Sequence, residues 1–152
     1  MSEGVLVLPE LRTRERLIYE ARRNVGARFA HQARIPGGKG IGATDCAGEI
    51  RMPAVEAGFV VEDRLDYDRF SAGRAMPEQL AKFADRIPIE RARLATILTF
   101  WRSKGGLEEH AAWFIPSSRI VHAWMKGGVC EVELDGYWRE RLVGAWDVRG
   151  VV

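Results

Sequence analysis

Few residues of this sequence could carry nucleophilic chemistry: two cysteines, Cys46 and Cys130, and three histidines, His31, His110 and His122. Thr44 and Asp45 are both good N-cap residues, so a helix is predicted to start there with Cys46 in its first turn. At that place the positive end of the helix dipole favours thiolate, the nucleophilic form of cysteine. The plainer reading of such a cysteine is a small buried hydrophobe. That plainer reading is kept for Cys130, which shares a strand face with Val132 and Leu134. His110 opens the run His-Ala-Ala-Trp-Phe-Ile, and His122 lies in the next run, Arg-Ile-Val-His-Ala-Trp, with Pro116-Ser117-Ser118 between them. An antiparallel hairpin about that turn brings the two histidines together across the ladder, directly or on the diagonal. Three such residues suffice for acyl transfer. Cys46 attacks a carbonyl, His110 takes the thiol proton to form an ion pair and later protonates the leaving amine, and His122 fixes the tautomer of His110. The backbone N–H of Cys46, at a helix start, helps hold the oxyanion.

The elements that must position these groups fall into two halves. A first helix is expected from Pro9, with Leu11, Ile18, Ala21, Val25 and Phe29 on one stripe and Arg12, Arg16, Glu20 and Arg23 outside. A loop with Pro36 and four glycines follows and is expected to border the cleft. The helix of Cys46 is expected to kink or end at Pro53 and to stop at Gly58. Residues 60–73 read as a charged loop, and Pro77 opens a short helix to about Arg86. Then come five short strands, 96–101, 110–115, 119–124, 129–134 and 142–148, rich in Val, Ile, Trp and Phe. The first of them also fits a helical stripe through Ile89, Leu94, Ile97 and Leu98. Helices first and sheet second make an α+β domain, with N-terminal helices packed on a five-strand antiparallel sheet.

The 152 residues fit a single domain spanning 1–152, and 47% hydrophobic residues are enough for a core. Lys and Arg total 23 against 21 Asp and Glu, a net charge of +2, which argues against bulk binding of nucleic acid. No run approaches the ~20 apolar residues of a membrane span, and the N-terminus lacks the pattern of a secretory signal. Two cysteines do not make a disulfide scaffold. Gly38-Lys-Gly-Ile-Gly-Ala43 formally fits a dinucleotide-binding pattern, but no strand is predicted before it. Cys46, His110 and His122 could also hold zinc, yet no fourth ligand is evident. No metal and no cofactor is therefore expected.

Asp45-Cys46-Ala47-Gly48 resembles the Asp-Cys-Ser-Gly signature of the NlpC-type cell-wall peptidases, papain-like cysteine endopeptidases of peptidoglycan. His110 and His122 match that family's two histidine strands, twelve residues apart. Gly26-Ala-Arg-Phe29-Ala-His31-Gln32, Gly128-Val-Cys-Glu-Val-Glu-Leu134 and Tyr137-Trp138-Arg139 resemble segments of the branch found in phage tails and gene transfer agents. The resemblance runs from about Leu11 to Val148. It implies a papain-like domain with Cys46, His110 and His122 catalytic, and with Asp45, His31, Gln32 and Phe29 at the substrate. The implied substrate is a peptidoglycan stem peptide, cleaved between D-glutamate and diaminopimelate. Other tail-tip or hub proteins are the implied partners. The implied place is a virion tail tip, with the chain made in the bacterial host cytoplasm and acting in the periplasm or cell wall during DNA entry. Phe29 stands where the family has a tyrosine whose hydroxyl serves the oxyanion hole, and His31 is the expected substitute. Ala47 replaces the family's serine.

Overall fold

A computed structural model describes residues 4–65, 67, 75–105 and 107–152. In chain order the elements are α1 (Arg14–Arg23), β1 (Arg28–Phe29), β2 (Arg34–Ile35), β3 (Ala43–Thr44), α2 (Cys46–Glu56), α3 (Ala75–Ala81), β4 (Ala84–Ile87), a single 3-10 turn (Ile89–Arg91), β5 (Ile97–Phe100), β6 (His110–Ile115), β7 (Arg119–Trp124), β8 (Gly128–Glu133), α4 (Gly136–Arg141) and β9 (Leu142–Val148). The main sheet has six strands in the order β4-β9-β5-β6-β7-β8, and β1, β3 and β2 form a small second sheet.

Alternation along the strands gives the main sheet two buried faces. One packs Ile97, Ala111, Trp113 and Val121 against Leu17 and Ile18 of α1 and Ile50 and Ala54 of α2. The other packs Leu98, Phe100, Ala112 and Ile120 against Trp138 of α4.

The structure departs from the sequence reading in several places. The main sheet has a sixth strand, because Ala84–Ile87 pairs with β9 rather than extending α3. Its two central residues, Asp85 and Arg86, are exposed, so this edge strand carries no apolar alternation. The strand at Ile97–Phe100 settles the ambiguous stretch as sheet. The first helix starts at Arg14, not near Pro9. Arg12 has a left-handed backbone (φ 62) that turns the chain just before it, and the Thr13 hydroxyl accepts from the Arg16 N–H at 3.1 Å as cap. Leu11 and Val25 are therefore exposed, and Phe29 belongs to β1. Residues 60–65 and 67 carry no helix or strand; the rest of the expected charged loop lies outside the described residues.

Pro53 does not end the helix, which runs on to Glu56. Proline has no N–H to give the carbonyl four residues back. That carbonyl belongs to Glu49, and the Trp113 indole N–H of β6 donates to it at 2.8 Å. A side chain from the sheet fills the gap in the helix ladder, so the helix and β6 are bonded as well as packed.

Candidate active site

Cys46 is the first residue of α2, and Asp45 is its cap, accepting from the Gly48 N–H at 2.9 Å. Gly48 is required sterically, since a Cβ there would lie 2.1 Å from the Thr44 hydroxyl. The helix thus starts hard against β3, and Cys46 is left at the floor of a cleft of about 320 Å³. The cleft walls come from β1 and its following turn (Phe29, His31), from Tyr67, from α3 and from the segment between β5 and β6.

The two histidines are brought together as the spacing predicts. His110 Nε2 and His122 Nδ1 are 2.7 Å apart. The β6–β7 ladder pairs only Trp113–Ile115 with Arg119–Val121. Both histidines lie beyond its end, so the imidazole bond joins the strands where the backbone pairing stops. Their rings sit on the α4 face: His110 stacks on Trp138 (centroids 5.3 Å apart), and His122 meets Trp138 and Trp124 edge-on at 4.9 and 5.9 Å.

Cys46 belongs to the opposite, helix-side face. Its neighbour in β6 is Ala111, whose backbone N–H faces the sulfur, and Ala111 rather than His110 lines the cleft. Among the described residues no hydrogen bond joins Cys46 to His110. His110 Nε2 is held by His122, which leaves Nδ1 as the nitrogen for a thiol one residue along the strand. Catalytic hydrogen bonds are commonly long before substrate binds and tighten with it.

The electrostatics differ from the ion pair expected from sequence. Burial raises the Cys46 thiol; the charge of Arg102 and the N–H groups of Ala111 and Ala47 pull it down but do not prevail, and the Asp45 carboxylate adds to the rise. His110 is held well below the ordinary histidine range by burial first, then by His122 and Arg102. Burial takes His122 down to about 4. The resting site is a neutral thiol with two neutral imidazoles. The helix N-terminus does lower the thiol, through the Ala47 N–H, but desolvation outweighs it and acts on all three groups.

Asp45 was expected at the substrate. It borders the cleft, but both its oxygens are engaged within the fold. Oδ1 accepts from Gly48 N–H and from Arg34 (2.8 Å), and Oδ2 accepts from the Gln32 backbone N–H (2.8 Å) and the Tyr67 hydroxyl. A carboxylate has about four acceptor positions, and all are taken. Gln32 is likewise structural: its side chain donates to the Tyr67 carbonyl at 2.8 Å and does not line the cleft. Phe29 and His31 do line it. Arg34 and Tyr67 were not singled out in the sequence. Arg34 also donates to the Tyr67 hydroxyl at 2.7 Å. Burial and the Asp45 carboxylate raise the Tyr67 phenol far enough to keep it protonated. The glycine-rich loop closes on itself so tightly that a Cβ added at Gly42 would lie 1.9 Å from the Gly37 carbonyl oxygen, and it does not border the cleft as expected. Among the described residues no group of three metal-ligating side chains is arranged to hold an ion.

No protein-family model matches this sequence, and no match to it was found among curated proteins. Solved structures are similar in fold. A lipoprotein-like protein of the NLP/P60 family from Staphylococcus aureus superposes with a TM-score of 0.66 and 19% identity over 97% of this chain and 45% of its own. The chain therefore spans less than half of that protein. The NlpC/p60 domain of the peptidoglycan hydrolase SagA matches with a TM-score of 0.60 and 19% identity, covering 90% of this chain and 99% of that one. RipD from Mycobacterium tuberculosis, described as a non-catalytic NlpC/p60 domain protein adapted to peptidoglycan binding, gives a TM-score of 0.59 at 13% identity over 90% of this chain and 95% of its own. At these identities the likeness is one of fold, and this chain has the papain-like NlpC/P60 fold.

Proposed function

We propose that this chain is a cysteine endopeptidase of peptidoglycan stem peptides, acting at the bond between D-glutamate and diaminopimelate. The observation that carries this reading is Cys46 at a helix N-terminus on the floor of a cleft, beside the strand whose His110 is bonded to His122. A scissile carbonyl enters the cleft over the sulfur. His110 Nδ1 takes the thiol proton as the sulfur attacks, and the same nitrogen then protonates the leaving amine; water next releases the acyl group from sulfur. His122 holds Nε2 throughout. The first-turn N–H of Cys46 and the His31 ring face the developing oxyanion, since Phe29 has no donor and the Tyr67 hydroxyl already serves Asp45. Because the thiol and imidazole rest neutral, proton transfer belongs to the attack itself rather than preceding it.

The test is mass spectrometry of diaminopimelate-type peptidoglycan fragments digested with wild type and with Cys46→Ala. New peptide termini from wild type alone establish the peptidase, and their masses identify the bond. This reading includes a place at the tail tip of a phage or gene-transfer particle beside other tail or hub proteins, which rests on the sequence segments around His31, Val129 and Trp138. Finding the chain by mass spectrometry in purified particles tests that part. A second reading, a peptidoglycan-binding protein without turnover, is favoured by Phe29 and by the missing thiol–imidazole bond. Intact fragments with both proteins, together with retained binding, select it.

A further inference from the structure

The charges of the cleft are unequally committed. Arg34 is bound to Asp45 and Asp63, and Arg51 to Asp63 and the Val61 carbonyl. Glu108 is held by both arms of Arg86 at 2.8 and 2.7 Å, by the Thr99 hydroxyl at 2.7 Å and by the Trp146 indole at 3.1 Å. Glu109 accepts from the Ser103 hydroxyl at 3.2 Å. Arg102 stands apart. It is exposed, lines the same cleft as Cys46, and among the described residues forms no ion pair and no hydrogen bond. It lies two residues past the end of β5, after Trp101, and its charge acts on both Cys46 and His110.

A guanidinium left unpaired beside a nucleophile, among cations that are all engaged, is suited to an anion that arrives with the substrate. Its planar fork matches a carboxylate in two-point geometry. We infer that Arg102 is a specificity residue that holds a free carboxylate flanking the scissile amide, so that the cleft prefers γ-glutamyl peptides with a free α-carboxylate over the same peptides with that group amidated. This deepens the peptidase reading, on which it rests for its choice of peptide, but it concerns binding and holds whether or not turnover occurs. Arg102 is exposed and forms no hydrogen bond or ion pair among the described residues, so its replacement is expected to leave the domain intact.

The experiment measures equilibrium binding of two synthetic stem peptides, one with the α-carboxylate and one with the α-carboxamide, to Cys46→Ala protein, where neither is consumed. The carboxylate peptide is expected to bind about tenfold more tightly, as a charge-assisted hydrogen bond at a partly open site provides. Adding Arg102→Gln should remove the difference, Arg102→Lys should keep part of it, and Lys104→Gln, an exposed cation outside the cleft, should leave it unchanged. Equal binding of the two peptides, or a preference that survives Arg102→Gln, overturns the assignment. So does failure of both peptides to bind. Wild-type digestion is the separate readout: cleavage of both peptides at equal rates removes the role of Arg102 and leaves the peptidase standing, whereas selective binding without cleavage removes the peptidase and leaves the role of Arg102.

Discussion

On the helix side of β6, Asp45 accepts from two backbone N–H groups, a guanidinium and a phenol, and so fixes the start of the helix that bears Cys46. On the α4 side, His110 and His122 bond each other and are packed against the rings of Phe100, Trp124 and Trp138. One side positions its reactive group by charge and directed hydrogen bonds, the other by ring packing and the exclusion of water. Since the group orienting His110 is a neutral imidazole rather than a carboxylate, no fixed negative charge stabilises an imidazolium there. Base strength on that side is set first by desolvation, with His122 and the Arg102 charge adding to it at His110. It can be altered through the aromatic rings alone, without touching the web that holds Cys46.

The largest expected effect comes from His110→Ala, which should lower peptide hydrolysis by about 10⁴-fold while circular dichroism stays that of wild type. A loss of only a few-fold would separate the two faces of β6 functionally and favour the binding protein. Next is Trp138→Ala, which should cost about 3–5 kcal/mol in chemical denaturation. It should also move the NMR titrations of His110 and His122 up toward the ordinary histidine value, as water reaches them. Unmoved titrations would mean that the rings are not what keeps the imidazoles neutral. Asp45→Asn keeps an acceptor for the Gly48 N–H but removes the charge opposite Arg34, which retains Asp63. The expected cost is about 1–3 kcal/mol, with the histidine titrations unchanged. A shift there would couple the two sides.

The smallest effect lies between them. Glu49 is buried under Asn24, which donates to Oε2 at 3.0 Å, and Oε1 has no partner among the described residues. Burial holds its carboxyl well above the ordinary glutamate value, only partly offset by Asn24. The native state therefore keeps a proton that the unfolded chain gives up, and stability falls as pH rises from the ordinary glutamate value toward the raised native one. Glu49→Gln should flatten that decline and be the more stable protein at neutral pH. Parallel melting curves against pH for the two proteins would show that the carboxyl is not protonated in the fold.

The strands of His110, His122 and β9 were legible to the residue, because alternating apolar runs between Pro-Ser-Ser, Gly-Gly and Asp-Gly turns admit little else. The helix start at Cys46 was legible from Asp45 for the same local reason. What escaped was set by contacts distant in sequence. The edge strand Ala84–Ile87 exists because β9 pairs with it, not because of its own pattern. Asp45 reads as a helix cap placed at the substrate until Arg34 and Tyr67, 11 and 22 residues away, are folded onto it. That Ala111 faces the cleft while His110 turns toward α4 follows from β-sheet alternation, in which neighbouring residues point to opposite sides. That alternation was available in the sequence, but which face α2 would cover was not.

The indole of Trp113 at the Glu49 carbonyl has a consequence for the order of assembly. A helix of 11 residues is marginal in water by itself, and one lacking a ladder bond in its middle is weaker still. The newly made segment around Cys46 therefore has little reason to stay helical until β6, some sixty residues later in the chain, has been synthesised and docked. Until then the cysteine has neither its dipole nor its cleft. The chain is in effect latched from its own C-terminal half: the nucleophile is completed last, together with the strand that brings its base.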